Sequence, residues 1–194
     1  TRVSPILSKH STNISLNEKL WERIKFVYEK VDKNSLDKED LMLLEETYLS
    51  FVRSGANLEG EAREQYRKLN SEISELTLEF GQNVLKELNT YEVWLNKEDL
   101  AGLPESVIEA AQVAAKEKGK EGYLFTMAAP SYRPFMQYSS RRDLREKMYK
   151  IYNSRNTKGE YSNIEVMSQI ADKRRQLAQL FGYKTFAEYK LSHT

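Results

Sequence analysis

Cysteine is absent from the 194 residues, which excludes disulfide frameworks, thiolate zinc sites and cysteine nucleophiles and leaves the redox compartment unread. Glycine (8) and proline (4) are scarce, at roughly half of average usage, which disfavours a turn-rich β architecture. Histidine occurs only as His10 and His193, too far apart in the chain to form the helical His pair of a zinc hydrolase. Neither sign of charge dominates: Lys+Arg is 30, Asp+Glu is 29 and the net charge is +1, which argues against a globally basic nucleic-acid binder or an acidic tail. The longest stretch without a charged residue runs from Gly122 to Tyr132, well short of the ~20 residues a membrane-spanning helix needs. No initiator Met or leader-like segment opens the sequence, as expected of an excised or processed piece.

What the chain does contain is helical periodicity, with 40% apolar residues to supply a core. Leu16, Leu20, Ile24, Val27 and Val31 form one stripe, which either Ser15 or Asn17 caps. Asp37 and Asp40 resemble a capping box before the stripe Leu41, Leu44, Tyr48, Phe51 and Val52, which Ser54-Gly55 ends. The longest element follows, with Ala62, Tyr66, Leu69, Ile73, Leu76, Phe80, Val84 and Leu88 at steps of three and four. Gly81 lies inside it, where a crossing helix is expected to need a small residue.

The period then changes. β elements are expected near 91–95 and 123–127, joined by a helix that Pro104 opens and Gly119 closes, a connection long enough for either strand orientation. After Pro130 and Pro134 helix returns: Leu144, Met148, Ile151 and Tyr152 form one stripe. Ile164, Met167, Ala171, Leu177 and Phe181 form another, ended by Gly182 as the C′ residue. Phe186, Tyr189 and Lys190 begin a last short helix. The expected fold is mostly α, one multi-helix domain over 1–194 with a small two-stranded β element.

Chemistry-bearing motifs are few. No Gly-x-Ser-x-Gly elbow, phosphate loop or His-Glu-x-x-His is present. His10 reads as a surface histidine in a loop-like Ser-Lys-His-Ser segment, and His193 as another near the end. Glu45-Glu46 and Glu72-Glu75 read as solvated charges. The stretch from Arg133 to Lys158 interleaves basic residues with Tyr132, Tyr138, Tyr149 and Tyr152, a pattern that stacking platforms for single strands share with a solvated helix whose positive face meets the acidic long helix, Glu59 to Glu92. Arg174 occupies a position of the last long stripe where an apolar residue is expected. It either snorkels or pairs bidentately with a carboxylate elsewhere in the protein. The residues alone describe a helical domain without a self-contained active site.

Several strings, in order, resemble one family. Ser4-Pro5-Ile6-Leu7-Ser8, Asn17 to Lys25, Leu43-Leu44-Glu45, Phe51 to Ala56 and Phe80 to Leu85 are similar to the amino-terminal half of the thimet-oligopeptidase-like zinc metallopeptidases, with wording nearest the bacterial peptidyl-dipeptidases. Arg142 to Lys150 and Arg155 resemble that family's arginine-rich helix. Arg174 with Leu180 to Tyr183 and Phe186 to Tyr189 resembles its segment before the catalytic domain.

The resemblance implies a clam-like enzyme in which this half walls a channel that admits short peptides. It implies zinc in the parent protein, held by a His-Glu-x-x-His motif and a downstream Glu that this sequence does not contain. No catalytic or metal residue is therefore assigned here; Arg174, Gly81 and Gly182 are singled out as structural positions, and no cofactor is expected in this piece itself. The expected partners are the missing catalytic half and short peptides, with neither nucleic acid nor membrane. Self-association is expected through the end carrying Phe181, Tyr183, Phe186, Tyr189 and Leu191. The cytoplasm is the expected compartment, with the periplasm as the alternative. A stand-alone helical interaction module is the rival reading, and single-strand nucleic-acid binding through 133–158 a weaker one.

Overall fold

A computed structural model describes residues 3–192. Nine α-helices and a two-stranded sheet follow one another among the described residues: α1 (Val3–Ser15), α2 (Glu18–Lys30), α3 (Lys38–Arg53), α4 (Gly60–Leu88), β1 (Glu92–Leu95), α5 (Glu105–Glu117), β2 (Tyr123–Thr126), α6 (Ala129–Tyr138), α7 (Arg142–Ser154), α8 (Ile164–Leu180) and α9 (Phe186–Leu191). The mostly helical expectation holds, and the strands pair antiparallel, with Glu92 opposite Thr126 and Leu95 opposite Tyr123. The chain divides into two compact units, one reaching to Leu78 and resuming at Ser168, the other Glu79–Met167.

In the first unit the caps follow local chemistry. Asn17 Oδ1 accepts from the Leu20 amide at 3.0 Å to open α2, and Asp37 Oδ1 accepts from the Asp40 amide at 2.8 Å to open α3, each satisfying a donor that the first helical turn leaves unpaired. Aromatic rings fill the α2–α3 interface: Tyr28 stacks on Tyr48 at 3.8 Å, and Trp21 tilts against the same ring at 5.2 Å. Leu16, Tyr66, Leu69 and Leu177 form the buried core, with Phe181 and Phe186 packed on it. At the end of α8, Gly182 has φ 79°. Its amide donates to Gln179 O and the Tyr183 amide to Ala178 O, the paired 5→2 and 6→1 bonds of a Schellman motif.

The second unit is built on Val93, Leu95, Phe125, Met127, Phe135 and Met148, with the Phe125 and Phe135 rings edge to face at 4.8 Å. Trp94, on the opposite side of β1 from Val93 and Leu95, is half-buried, its indole N–H donating to Glu92 at 3.0 Å. Gly119, at φ 70°, closes α5 with the same pair of bonds, to Lys116 O and Ala115 O. Gly102 is required by contact: at φ 87°, a Cβ there would stand 2.4 Å from Tyr138 O and 2.5 Å from Ser140 Oγ, inside any allowed approach.

Three segments differ from expectation. The Ser-Lys-His-Ser segment is helical, inside α1, rather than loop; a density of Ser, Thr and Lys hides the pattern. Pro130 and Pro134 lie within α6 rather than before it; the first sits in the opening turn, where no intrahelical N–H is lost. In α8 the buried face is turned: Val166, Leu177 and Ala178 are inside while Ile164 and Met167 are exposed, because the choice of neighbour, not the apolar content of the helix, sets its rotation.

Candidate functional site

The positions singled out in the sequence do not converge. Arg174 is exposed and forms no salt bridge among the described residues; its guanidinium lies 5.3 Å from the Phe186 ring centroid. The ion pair falls one residue earlier. Lys173 Nζ stands 2.7 Å from Glu72 Oε2, both side chains largely covered, in an approach too bent to count as a hydrogen bond. Glu72 is therefore engaged rather than solvated, and Glu45 faces Lys33 at 3.8 Å. Gly81 has open space around it, since a Cβ there would meet nothing within 4 Å, so no crossing helix among the described residues accounts for the glycine.

The Arg133–Lys158 region spends several cations on itself. Arg141 grips Asp143 with two donors, Nε to Oδ1 at 2.9 Å and Nη2 to Oδ2 at 2.7 Å, and reaches Asp99 with Nη1. This fork holds the Asp143 carboxyl down to about 2, the result of charge-assisted bidentate bonding. Arg145 donates to the Ser139 carbonyl. Arg155 lies 3.7 Å over the Tyr152 ring, which in turn stacks on Tyr132 at 4.1 Å, a three-layer stack of cation and two rings. Burial raises the Tyr132 hydroxyl.

One polar cluster of this unit was not foreseen in the sequence. Glu87 is buried; it accepts the Tyr91 hydroxyl at 2.6 Å and the Asn156 amide. The Glu87 carboxylate keeps the Tyr91 proton in place and pushes that phenol up to about 12. Asn156 takes φ 57°, a conformation asparagine tolerates better than most residues. Its side chain donates to Tyr161 O at 2.8 Å. Asn163 donates to Phe80 O at 3.2 Å and accepts from Asn83 at 3.0 Å. The cluster ties the 156–163 loop to the end of α4 with every bond local to this unit, and its only readable signal was a polar loop.

No three His, Cys, Asp or Glu side chains among the described residues are grouped so as to hold a metal ion. His10 is exposed on α1, and His193 lies outside the described residues. This donor set does not fit a zinc site, which needs three or four converging ligands. No helix of the described residues is long and apolar enough to cross a membrane.

At the C-terminal end Phe181, Tyr183 and Phe186 are half-buried, partly exposed as expected. Tyr189 is buried, with Phe181 stacked on it at 5.1 Å and Tyr183 edge-on at 5.7 Å; Leu191 is exposed. The larger bare apolar surfaces are on α1, α2 and α3, where Leu7, Phe26 and Leu43 are each about three-fifths exposed or more.

Comparison with known proteins places these observations. The model of peptidase family M3 matches residues 135–194. The chain is 35% identical, over 97% of its length, to oligopeptidase A of Haemophilus influenzae. It is 32% identical, over 98%, to the probable cytosolic oligopeptidase A of Arabidopsis thaliana, and 28% identical, over 96%, to the dipeptidyl carboxypeptidase of Escherichia coli. It spans 28% of the length of each of these relatives.

Proposed function

Because the chain belongs to the thimet-oligopeptidase-like metallopeptidases of family M3, as part of the amino-terminal region, we propose that it serves as the non-catalytic wall of a peptide channel in a zinc-dependent oligopeptidase. The observation that carries this reading is the 35% identity to an oligopeptidase over 97% of the chain but only 28% of the relative. The parent protein hydrolyses short peptides, and its zinc ligands lie outside this chain, whose sequence has no His-Glu-x-x-His motif. Cleavage of short peptides is the activity common to oligopeptidase A and dipeptidyl carboxypeptidase, and it is the activity proposed for the parent. The cytosol is proposed as its compartment, because the Arabidopsis relative is a probable cytosolic oligopeptidase A.

The test uses the chain and its parent polypeptide side by side. The chain alone melts cooperatively, binds no stoichiometric zinc and leaves a quenched short-peptide substrate intact. The parent cleaves that substrate and stops when chelator removes its metal. Chelator-sensitive cleavage that follows the purified chain through two columns overturns the reading; so does a parent that lacks peptidase activity.

A further inference from the structure

An amphipathic helix normally turns its apolar side to its neighbour. α1 does the opposite. Val3, Leu7 and Ile14 are 58%, 59% and 45% exposed, while Ser8 and Thr12 are half-buried toward α4. Between the two helices lies a cavity of about 380 Å³, and Ser8, Lys9, Thr12, Asn13, Arg67, Ser71 and Ser74 supply its polar lining. Its volume is within the range of small-molecule sites, roughly 300–1,000 Å³.

The lining has a definite chemical character. It carries two cations, Lys9 and Arg67, and no carboxylate. Arg67 is aimed by Asn13, whose Oδ1 accepts from Nη1 at 3.0 Å. Its link to the exposed Glu64, at 3.7 Å, is loose. The Ser8, Thr12 and Ser74 hydroxyls and the Lys9 ammonium have no protein partner among the described residues, whereas Ser71 donates to Glu75. Polar groups that line a cavity without partners are groups a ligand can satisfy. Pro5 and Ile6 add an apolar wall.

We propose that this cavity binds the carboxylate end of a short peptide, the Arg67 fork and Lys9 taking the oxyanion, the hydroxyls its remaining lone pairs, and Pro5 and Ile6 the side chain of the terminal residue. An apolar wall beside the cations suits an organic monoanion better than a bare inorganic one. Peptides are chosen as the source of the carboxylate on the strength of the function proposed above.

The test is a titration of the isotope-labelled chain, followed by amide shifts, with alanyl-alanyl-leucine as the free acid, its C-terminal amide and inorganic phosphate, all at one ionic strength. The free acid moves the amides of Ser8, Thr12 and Ser71, and the C-terminal amide binds about tenfold more weakly. Arg67→Gln and Lys9→Gln each weaken the acid to the level of the amide; Lys9 is exposed, so it decides the matter if Arg67→Gln melts early. Equal binding of acid and amide, or no shift in α1 and α4, overturns the site. Phosphate binding as tightly as the tripeptide overturns the peptide assignment. Peptide cleavage by the parent is not read in this titration, so a silent cavity leaves the peptidase reading to its own assay.

Discussion

Arg53 and Tyr189, 136 residues apart, hold each other twice: Arg53 Nη2 donates to the Tyr189 carbonyl at 2.8 Å, and the Tyr189 hydroxyl donates back to the Arg53 carbonyl at 2.5 Å. A third bond, from the same Nη2 to Lys190 O at 3.1 Å, completes the tie between the end of α3 and α9. Tyr189→Phe removes one donor and leaves a covered carbonyl unpaired, so the chain loses about 1–2 kcal/mol in denaturant unfolding.

The same phenol sets an alkaline limit. Burial pushes Tyr189 up to about 12, and the bond to Glu87 does the same for Tyr91. Both are held neutral in the folded chain above their ordinary value of 10.0. Their contribution to stability is therefore full below pH 10 and is lost as pH rises toward 12. Burial also raises Tyr66 and Tyr132, so ultraviolet titration of the tyrosinates shows a late fraction, and Tyr189→Phe and Tyr91→Phe each reduce its latest part.

Lys173 outweighs Arg174. Lys173→Ala leaves the largely covered Glu72 with only the distant Lys68, at 4.0 Å, and costs roughly 1–2 kcal/mol, between the values of exposed and buried pairs. Arg174→Ala gives up only an exposed cation–ring contact and costs under about 1 kcal/mol. Melting of the two variants against wild type checks the order; an Arg174 loss exceeding that of Lys173 contradicts it.

Two glycines respond in opposite directions. Gly81→Ala places a methyl in open space inside a helix and stabilises by about 0.5–1 kcal/mol. Gly102→Ala drives a Cβ into Tyr138 O and Ser140 at a positive φ and destabilises by ~3 kcal/mol or more. Guanidinium melts of both variants read the signs directly.

The bare face of α1 makes the isolated chain prone to associate, since contiguous exposed apolar surface promotes self-contact. Sedimentation velocity shows a weight average that rises with concentration, and Leu7→Ser with Ile14→Ser restores a monomer. Association unchanged in that double variant places the sticky surface elsewhere.

Much of this was legible in the residues. The stripe of α4, from Ala62 to Leu88, lies on its covered side as read, and Asn17, Asp37, Gly119 and Gly182 stand at helix ends because capping is decided within a few residues. The strands were legible for the same reason: Val93 and Leu95 alternate with Glu92 and Trp94, and the alternation survives as buried against less buried. Legibility failed where a distant neighbour decides. Nothing local says that α1 shows its apolar side to solvent, that Lys173 rather than Arg174 faces Glu72, or that Ile164 and Met167 stay outside. The cluster around Glu87 was invisible because it joins Tyr91, Asn156 and Asn163 across up to 83 residues of chain, as the Asn163–Phe80 bond shows.

The two tryptophans are apportioned one to each compact unit, Trp21 beside Tyr48 and Trp94 beneath the Lys120 ammonium at 4.8 Å. Each unit thus carries its own built-in lamp. Trp21 emits next to a tyrosine able to pass it excitation energy, whereas Trp94 emits under a neighbouring cation. With either indole exchanged for phenylalanine, the remaining glow reports one unit alone, without dye or label.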